Sequence, residues 1–76
     1  MMTIIEYKDA TLEYIHELCD NVSEQDKDKI IKECNISFNR LIITKLPIRK
    51  KLLLAGYIYE EYQIYLPLLI KKILLQ

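Results

Sequence analysis

Glycine, tryptophan and histidine are almost missing from this chain of 76 residues, which has one glycine, no tryptophan and one histidine. With a single glycine and two prolines, the sequence lacks the turn residues that a fold of many short strands requires. The lone Gly56 also excludes a glycine-rich phosphate-binding loop. Because 51% of the residues are hydrophobic, the composition is not that of a disordered chain. We therefore expect one small domain over residues 1–76, mostly α-helical, with three to four helices.

Residues that carry catalytic or metal chemistry are also few. Glu13 and His16 have the E-x-x-H spacing of helical metal ligands, but a di-iron bundle needs two such pairs and this chain has one. Cys19 and Cys34 are too few for a disulfide scaffold. No basic segment followed by an apolar run opens the chain, as a secretory signal would. We expect a cytoplasmic protein with reduced structural thiols, no enzymatic activity, no metal and no cofactor.

The strongest pattern lies in the last thirty residues. Eight apolar residues follow one another there at spacings of 4, 3, 4, 3, 4, 3 and 4, which is a helical heptad stripe: Ile48, Leu52, Ala55, Tyr59, Tyr62, Leu66, Leu69 and Ile73. Most of the remaining helix faces are apolar too, and such a helix has to be buried on nearly all sides. A chain of this length offers little cover. We expect a homo-oligomer, a protein partner or contact with a membrane surface.

The predicted partner-binding residues lie on this stripe, on a face that two short amphipathic helices would leave uncovered. Tyr59, Tyr62 and Leu66 are the anchors, because a tyrosine buries a large ring while its hydroxyl stays hydrated. Glu60 and Glu61 would set the register against a basic surface such as residues 49–51 of a second copy. The predicted function is non-enzymatic protein interaction or assembly, consistent with a small phage or mobile-element protein that binds or inhibits a larger partner.

Charge is divided unevenly along the chain. Residues 1–34 carry a net charge of −5 and residues 35–76 carry +5. The two halves then complement each other, within one chain or between symmetry mates. The alternative is a small nucleic-acid-binding module, in which a basic patch beside tyrosines contacts phosphates. The patch comprises Arg40, Lys45, Arg49, Lys50 and Lys51.

The first half of the chain predicts three elements. Residues 3–8 alternate in polarity and predict a short β element or an extended arm, which leaves an α+β fold as the alternative. Asp9 is the predicted N-cap of a helix over about residues 10–21. Ser23 and Asp26 form a capping-box-like start of a second helix. Residues 35–46 fit both a strand and a helix, and the helix is favoured.

Two prolines affect the helices predicted for the second half of the chain. Pro47 suits the start of the last helix. Pro67 removes a backbone hydrogen bond and clashes with the carbonyl group of Gln63, so the sequence predicts a kink or break near residues 63–67 and a short helix over 68–75. Residues 52–70 have the length of a membrane span, but two glutamates at their centre make a span unfavourable. Peripheral membrane contact remains an alternative.

The layout from Ile4 to Cys34 resembles the start of GNAT-like proteins, in particular the small phage internal virion proteins of that superfamily. Those proteins open with a strand, continue with a helix carrying D-x-x-x-I-x-x-L, and then form an acidic second helix. The corresponding segments here are residues 4–7, 11–18 and 23–26. The resemblance implies a virion protein. It does not imply acetyl transfer, because the R/Q-x-x-G-x-G/A loop that binds acetyl-CoA is absent.

Overall fold

Three α-helices make up the protein in the computed structural model, which describes residues 1–76: α1 (Ile4–Leu18), α2 (Glu24–Ile43) and α3 (Ile48–Leu74). The rings of Tyr7 and Tyr59 lie 5.8 Å apart, and Tyr14 reaches Gln63 further along, so α1 and α3 run parallel. Lys51 reaches Ile42, so α2 runs antiparallel to α3. The result is an up-down-up bundle. The predicted small helical domain is confirmed, and no β element is present.

The first helix begins at Ile4, within the segment for which the sequence predicted a strand. Thr3 and Glu6 form a capping box: the Glu6 backbone N–H donates to Thr3 Oγ1 over 3.1 Å, and the Thr3 N–H donates to Glu6 Oε1 over 2.9 Å. This pair satisfies two free donors at the helix start. The predicted strand or arm and the Asp9 N-cap are therefore wrong. The alternation seen in residues 3–8 was too short to outweigh a capping signal.

The second helix is capped at both ends by side chains. The Asp26 N–H donates to Ser23 Oγ over 3.2 Å, as the sequence predicted. The helix continues to Ile43, which confirms the helical interpretation of the ambiguous segment. At its C-terminus Lys51 Nζ donates to the Ile42 carbonyl over 2.7 Å. A cation in this position complements the negative end of the helix dipole.

The third helix is continuous through Pro67, so the predicted break and the separate short helix over 68–75 are wrong. Pro67 lacks the N–H that would bind the carbonyl group of Gln63. The Tyr14 hydroxyl of α1 donates to that carbonyl over 3.4 Å. Because a neighbouring helix supplies the missing donor and Pro67 itself is exposed, the helix tolerates the proline.

The core is one small cluster between the three helices. Only 11 of the 76 residues are buried. Phe38 and Ile15 are its largest fully buried side chains, and Thr11 is its one polar member. The Thr11 hydroxyl is satisfied because it donates to the Tyr7 carbonyl over 2.7 Å. The other buried residues are Cys19, Val22, Ile30, Cys34, Leu41, Ala55, Leu66 and Ile70.

Candidate interaction surface

The heptad stripe found in the sequence, hereafter the inner stripe, is the side of α3 that α1 and α2 cover, except at Ile48 and Leu69, which are exposed. Ala55 and Leu66 are fully buried or nearly so. Tyr59 packs its ring against Tyr7, with the ring planes inclined at 49°. Tyr62 is half-buried and lies next to Cys34. The stripe therefore forms most of the α3 contribution to the core.

This placement corrects the expectation that Tyr59, Tyr62 and Leu66 lie on an uncovered face. Leu66 is only 2% exposed, and both tyrosines are half-buried in the single chain. The reason is that α1 and α2 pack along this stripe and leave the opposite side of α3 open. Glu60 is exposed and Glu61 is half-buried, so these two carboxylates lie nearer to the open side.

A second heptad stripe runs along that open side, hereafter the outer stripe. Each member follows an inner-stripe residue by two positions, which is a rotation of about 200° around the helix. Its members are Lys50, Leu54, Tyr57, Glu61, Ile64, Leu68, Lys71 and Leu75. Tyr57, Ile64 and Leu68 each leave about three-fifths of their surface in contact with solvent. The outer stripe is therefore an exposed face of large apolar residues, interrupted by Lys50, Glu61 and Lys71.

The total solvent-exposed area of the chain is larger than expected for its mass. A folded monomer of 9.1 kDa is expected to expose about 4,900 Å². This chain exposes 5701 Å², about 800 Å² more than the scaling relation predicts. Part of the difference follows from the elongated shape, 42 × 19 × 16 Å. That shape itself arises because the long third helix has cover on one side only.

A shallow groove of about 460 Å³ lies between α2 and α3, beside the outer stripe. Tyr65 and Leu69 form its apolar wall, and Ser37 and Glu61 supply polar atoms. Leu69 is partly exposed although it belongs to the inner stripe. The groove therefore widens the apolar face of α3 towards α2.

Four titratable groups with raised pKa values differ in cause between the two sides of α3. On the outer side, a hydrogen bond to the Glu61 carboxylate raises the pKa of Tyr57. On the inner side, burial raises the pKa of Tyr62 to about 12 and that of the Cys34 thiol to about 11. Burial also raises the pKa of Cys19. These raised values keep both thiols protonated and unreactive at neutral pH, and both cysteines are free.

The predicted basic patch lies at the corner where α2 ends and α3 begins. Arg40, Lys45, Arg49 and Lys50 are exposed there. Lys51 is not available in the same way, because its ammonium group binds the last turn of α2. The corner thus offers four free cations, and Lys50 also opens the outer stripe.

Other kinds of site and other proteins give no further guide to function. No group of three or more His, Cys, Asp or Glu side chains is placed to hold a metal ion. None of the three helices contains a stretch that is both long and apolar enough to span a bilayer. No protein-family model, curated protein or solved structure matches this chain. The segment compared with GNAT-like proteins begins in α1 and contains no strand.

Proposed function

We propose that this protein is a non-enzymatic interaction or assembly protein that binds another protein chain through the outer stripe of α3. The observation that carries the proposal is the row of large apolar side chains that α1 and α2 leave exposed on that side. Such a row has the spacing of an amphipathic helix that docks on a second helix or in an apolar groove. Burying Tyr57, Ile64 and Leu68 against a partner would supply the driving force for association.

The proposed binding residues differ in part from those that the sequence suggested. Glu60 and Glu61 keep their proposed role, because they lie beside the exposed apolar residues and offer charges that a partner must complement. Tyr57 replaces Tyr59 and Tyr62 as the aromatic anchor, since its ring is the more exposed one. Ile64 and Leu68 replace Leu66.

Nucleic-acid binding is the second candidate, favoured by the four exposed cations at the α2–α3 corner. Contacts with phosphates would make affinity fall steeply as salt concentration rises. Apolar docking through the outer stripe changes little with salt, so a titration of single-stranded oligonucleotide at two salt concentrations separates the two functions.

Photocrosslinking tests the proposed function. A photoreactive amino acid in place of Leu68 should form adducts with a protein chain, either another copy or a different protein. The matched control carries the same group in place of Asp28, an exposed residue in the first part of α2, and should form none. A protein that gives no adduct at position 68, stays monomeric and melts cooperatively would contradict the proposal.

A further inference from the structure

We propose that the outer stripe is occupied by a second copy of the same stripe, running antiparallel, with the two helices crossing at the level of Leu66. This inference rests on the proposed function and names the partner. It is carried by the order of charged and apolar residues along the stripe and by the area that the monomer leaves exposed.

Antiparallel pairing about this level places apolar residues opposite apolar residues and opposite charges against each other along the stripe. Ile64 of each copy lies opposite Leu68 of the other, and Tyr57 lies opposite Leu75. Glu61 lies opposite Lys71, so the one carboxylate of the stripe meets the one ammonium group that the stripe has within the overlap. Each pair joins the two kinds of heptad core position, which is the layering that antiparallel helices require.

The flanking charges add no further pair in this register. Glu60 and Lys72 of the second copy lie at the same level but on opposite flanks of the seam, because Glu60 precedes Glu61 and Lys72 follows Lys71 along the chain. The Glu61–Lys71 pair therefore carries the charge match, and both of these side chains are at least partly exposed in the single chain. Complementary charges of this kind fix the register and orientation of paired helices.

The other arrangements are less favourable because they mismatch charge or leave apolar surface bare. A parallel pair would set Glu61 against Glu61 and Lys71 against Lys71. An antiparallel pair moved by one heptad would place Glu61 opposite Ile64 and Lys71 opposite Leu54. A pair in which Glu61 meets Lys50 matches charge, but it ends before Ile64 and leaves the most exposed half of the stripe uncovered.

The exposed area fits one partner of this size. The chain exposes 5701 Å², about 800 Å² above the expectation for its mass, and its elongated shape accounts for part of that excess. A standard protein interface buries about 800 Å² on each partner, and the exposed surface is large enough to supply one. The overlap from Tyr57 to Leu75 comprises 19 residues of the sequence, a helix length of about 28 Å, which is enough for a compact coiled-coil seam.

Disulfide mapping tests the register directly. In the proposed dimer, position 61 of one copy lies beside position 71 of the other, whereas two copies of position 61 are about 15 Å apart along the helix. Disulfide formation needs Cα atoms within about 7 Å. A mixture of Glu61→Cys and Lys71→Cys proteins should therefore form a crosslinked dimer, and neither protein should do so alone. The native Cys19 and Cys34 are 1% and 0% exposed and stay out of the reaction.

Any other pattern of crosslinks would overturn the proposal and would identify a different arrangement. Crosslinking of Glu61→Cys with itself would show a parallel pair. Crosslinking of Glu61→Cys with Lys50→Cys would show the shorter antiparallel register. A wild-type chain that light scattering finds monomeric at micromolar concentration, yet which forms adducts with another protein at position 68, would retain the proposed function and reject the second copy as partner.

Charge reversal provides an independent test of the register that needs no introduced cysteine. The Glu61→Lys protein and the Lys71→Glu protein should each associate at least about tenfold more weakly than wild type, because both Glu61–Lys71 contacts of the dimer become repulsive. Mixed together they should recover the wild-type affinity. Lys32→Glu, at an exposed position of α2 outside the stripe, is the matched control and should leave association unchanged. Equal loss in the control, or no recovery on mixing, would overturn the register.

Discussion

The two stripes of α3 have the same heptad spacing, yet most of one packs against the chain's own helices and the other faces solvent. They differ in charge: the inner stripe contains no ionisable carboxylate or amine, whereas the outer stripe contains Lys50, Glu61 and Lys71. The inner stripe also contains Ala55, whose small side chain allows a close helix approach and is fully buried. Heptad spacing is therefore the same for both stripes, and charge identifies which side of the helix belongs to the chain's own core.

A matched pair of leucine truncations should give the largest difference between the stripes. Leu66→Ala removes a buried side chain and should lower the free energy of unfolding by about 2–5 kcal/mol. Leu68→Ala, two residues away on the exposed side, should change it by less than about 0.5 kcal/mol at protein concentrations low enough to prevent association. Urea denaturation followed by circular dichroism measures both.

The same two proteins should reverse their order in an association assay. Leu68→Ala should weaken association, because that side chain contributes to the outer surface. If Leu66→Ala and Leu68→Ala instead lowered the stability of the dilute chain equally, the division of α3 into a core side and a partner side would be incorrect.

Replacement of Pro67 tests whether the continuous helix carries a cost that Tyr14 only partly offsets. Proline costs about 3 kcal/mol relative to alanine inside a helix, and one carbonyl is already satisfied by Tyr14. We expect Pro67→Ala to raise the free energy of unfolding by about 2 kcal/mol, measured by urea denaturation. In that background Tyr14→Phe should have a smaller effect than in wild type. A loss of stability in Pro67→Ala would show that the proline ring itself contributes to packing.

Titration of Cys34 tests whether water is excluded from the inner side of α3. Its pKa is raised from 9.0 to about 11 by burial, so the unfolded thiol ionises first as pH rises. The resulting contribution to stability is complete below pH 9 and is lost as pH rises towards 11. The melting temperature should therefore fall in that interval. Cys34→Ala should flatten this part of the profile and lower stability at neutral pH by about 1–2 kcal/mol.

The smallest expected effect concerns Gly56, which lies under the Tyr7 ring on the side of α3 that meets α1. A Cβ added there would lie 3.4 Å from Tyr7 Cζ and Oη, which requires at most a slight adjustment. Because alanine favours a helix over glycine by about 1 kcal/mol, Gly56→Ala should raise stability by about 0.5 kcal/mol in thermal denaturation. A clear loss of stability would mean that the contact between α1 and α3 is tighter than the distance suggests.

Much of the fold follows from the sequence because local signals and packing agree there. Ser23 and Asp26 mark the start of α2, and the apolar spacing from Cys34 to Leu41 continues that helix. The predictions are wrong where a local sequence pattern was outweighed by another interaction. Thr3 and Glu6 form a capping box inside an alternating segment, and Pro67 is tolerated because of a hydrogen bond from a distant tyrosine. Neither outcome is readable from neighbouring residues alone.

The presence of exposed apolar residues on α3 was predictable, and their positions were not. An excess of apolar residues on the last helix predicted that part of it would stay uncovered, and the structure leaves an apolar face exposed; that this face binds a partner stays a prediction. Which residues form it depended on where α1 and α2 pack, and that choice rests on tertiary contacts such as Tyr7 with Tyr59. The charged members of the outer stripe were the signal that could have separated the two sides.

Hydroxyl-radical footprinting with mass spectrometry tests the central claim, that association covers the outer side of α3, most directly. Tyr57 belongs to the outer stripe, and His16 is an exposed residue of α1. As protein concentration rises from the monomeric to the associated range, oxidation of Tyr57 should decrease, and oxidation of His16 should stay constant. Constant oxidation of Tyr57 together with protection of His16 would contradict the account.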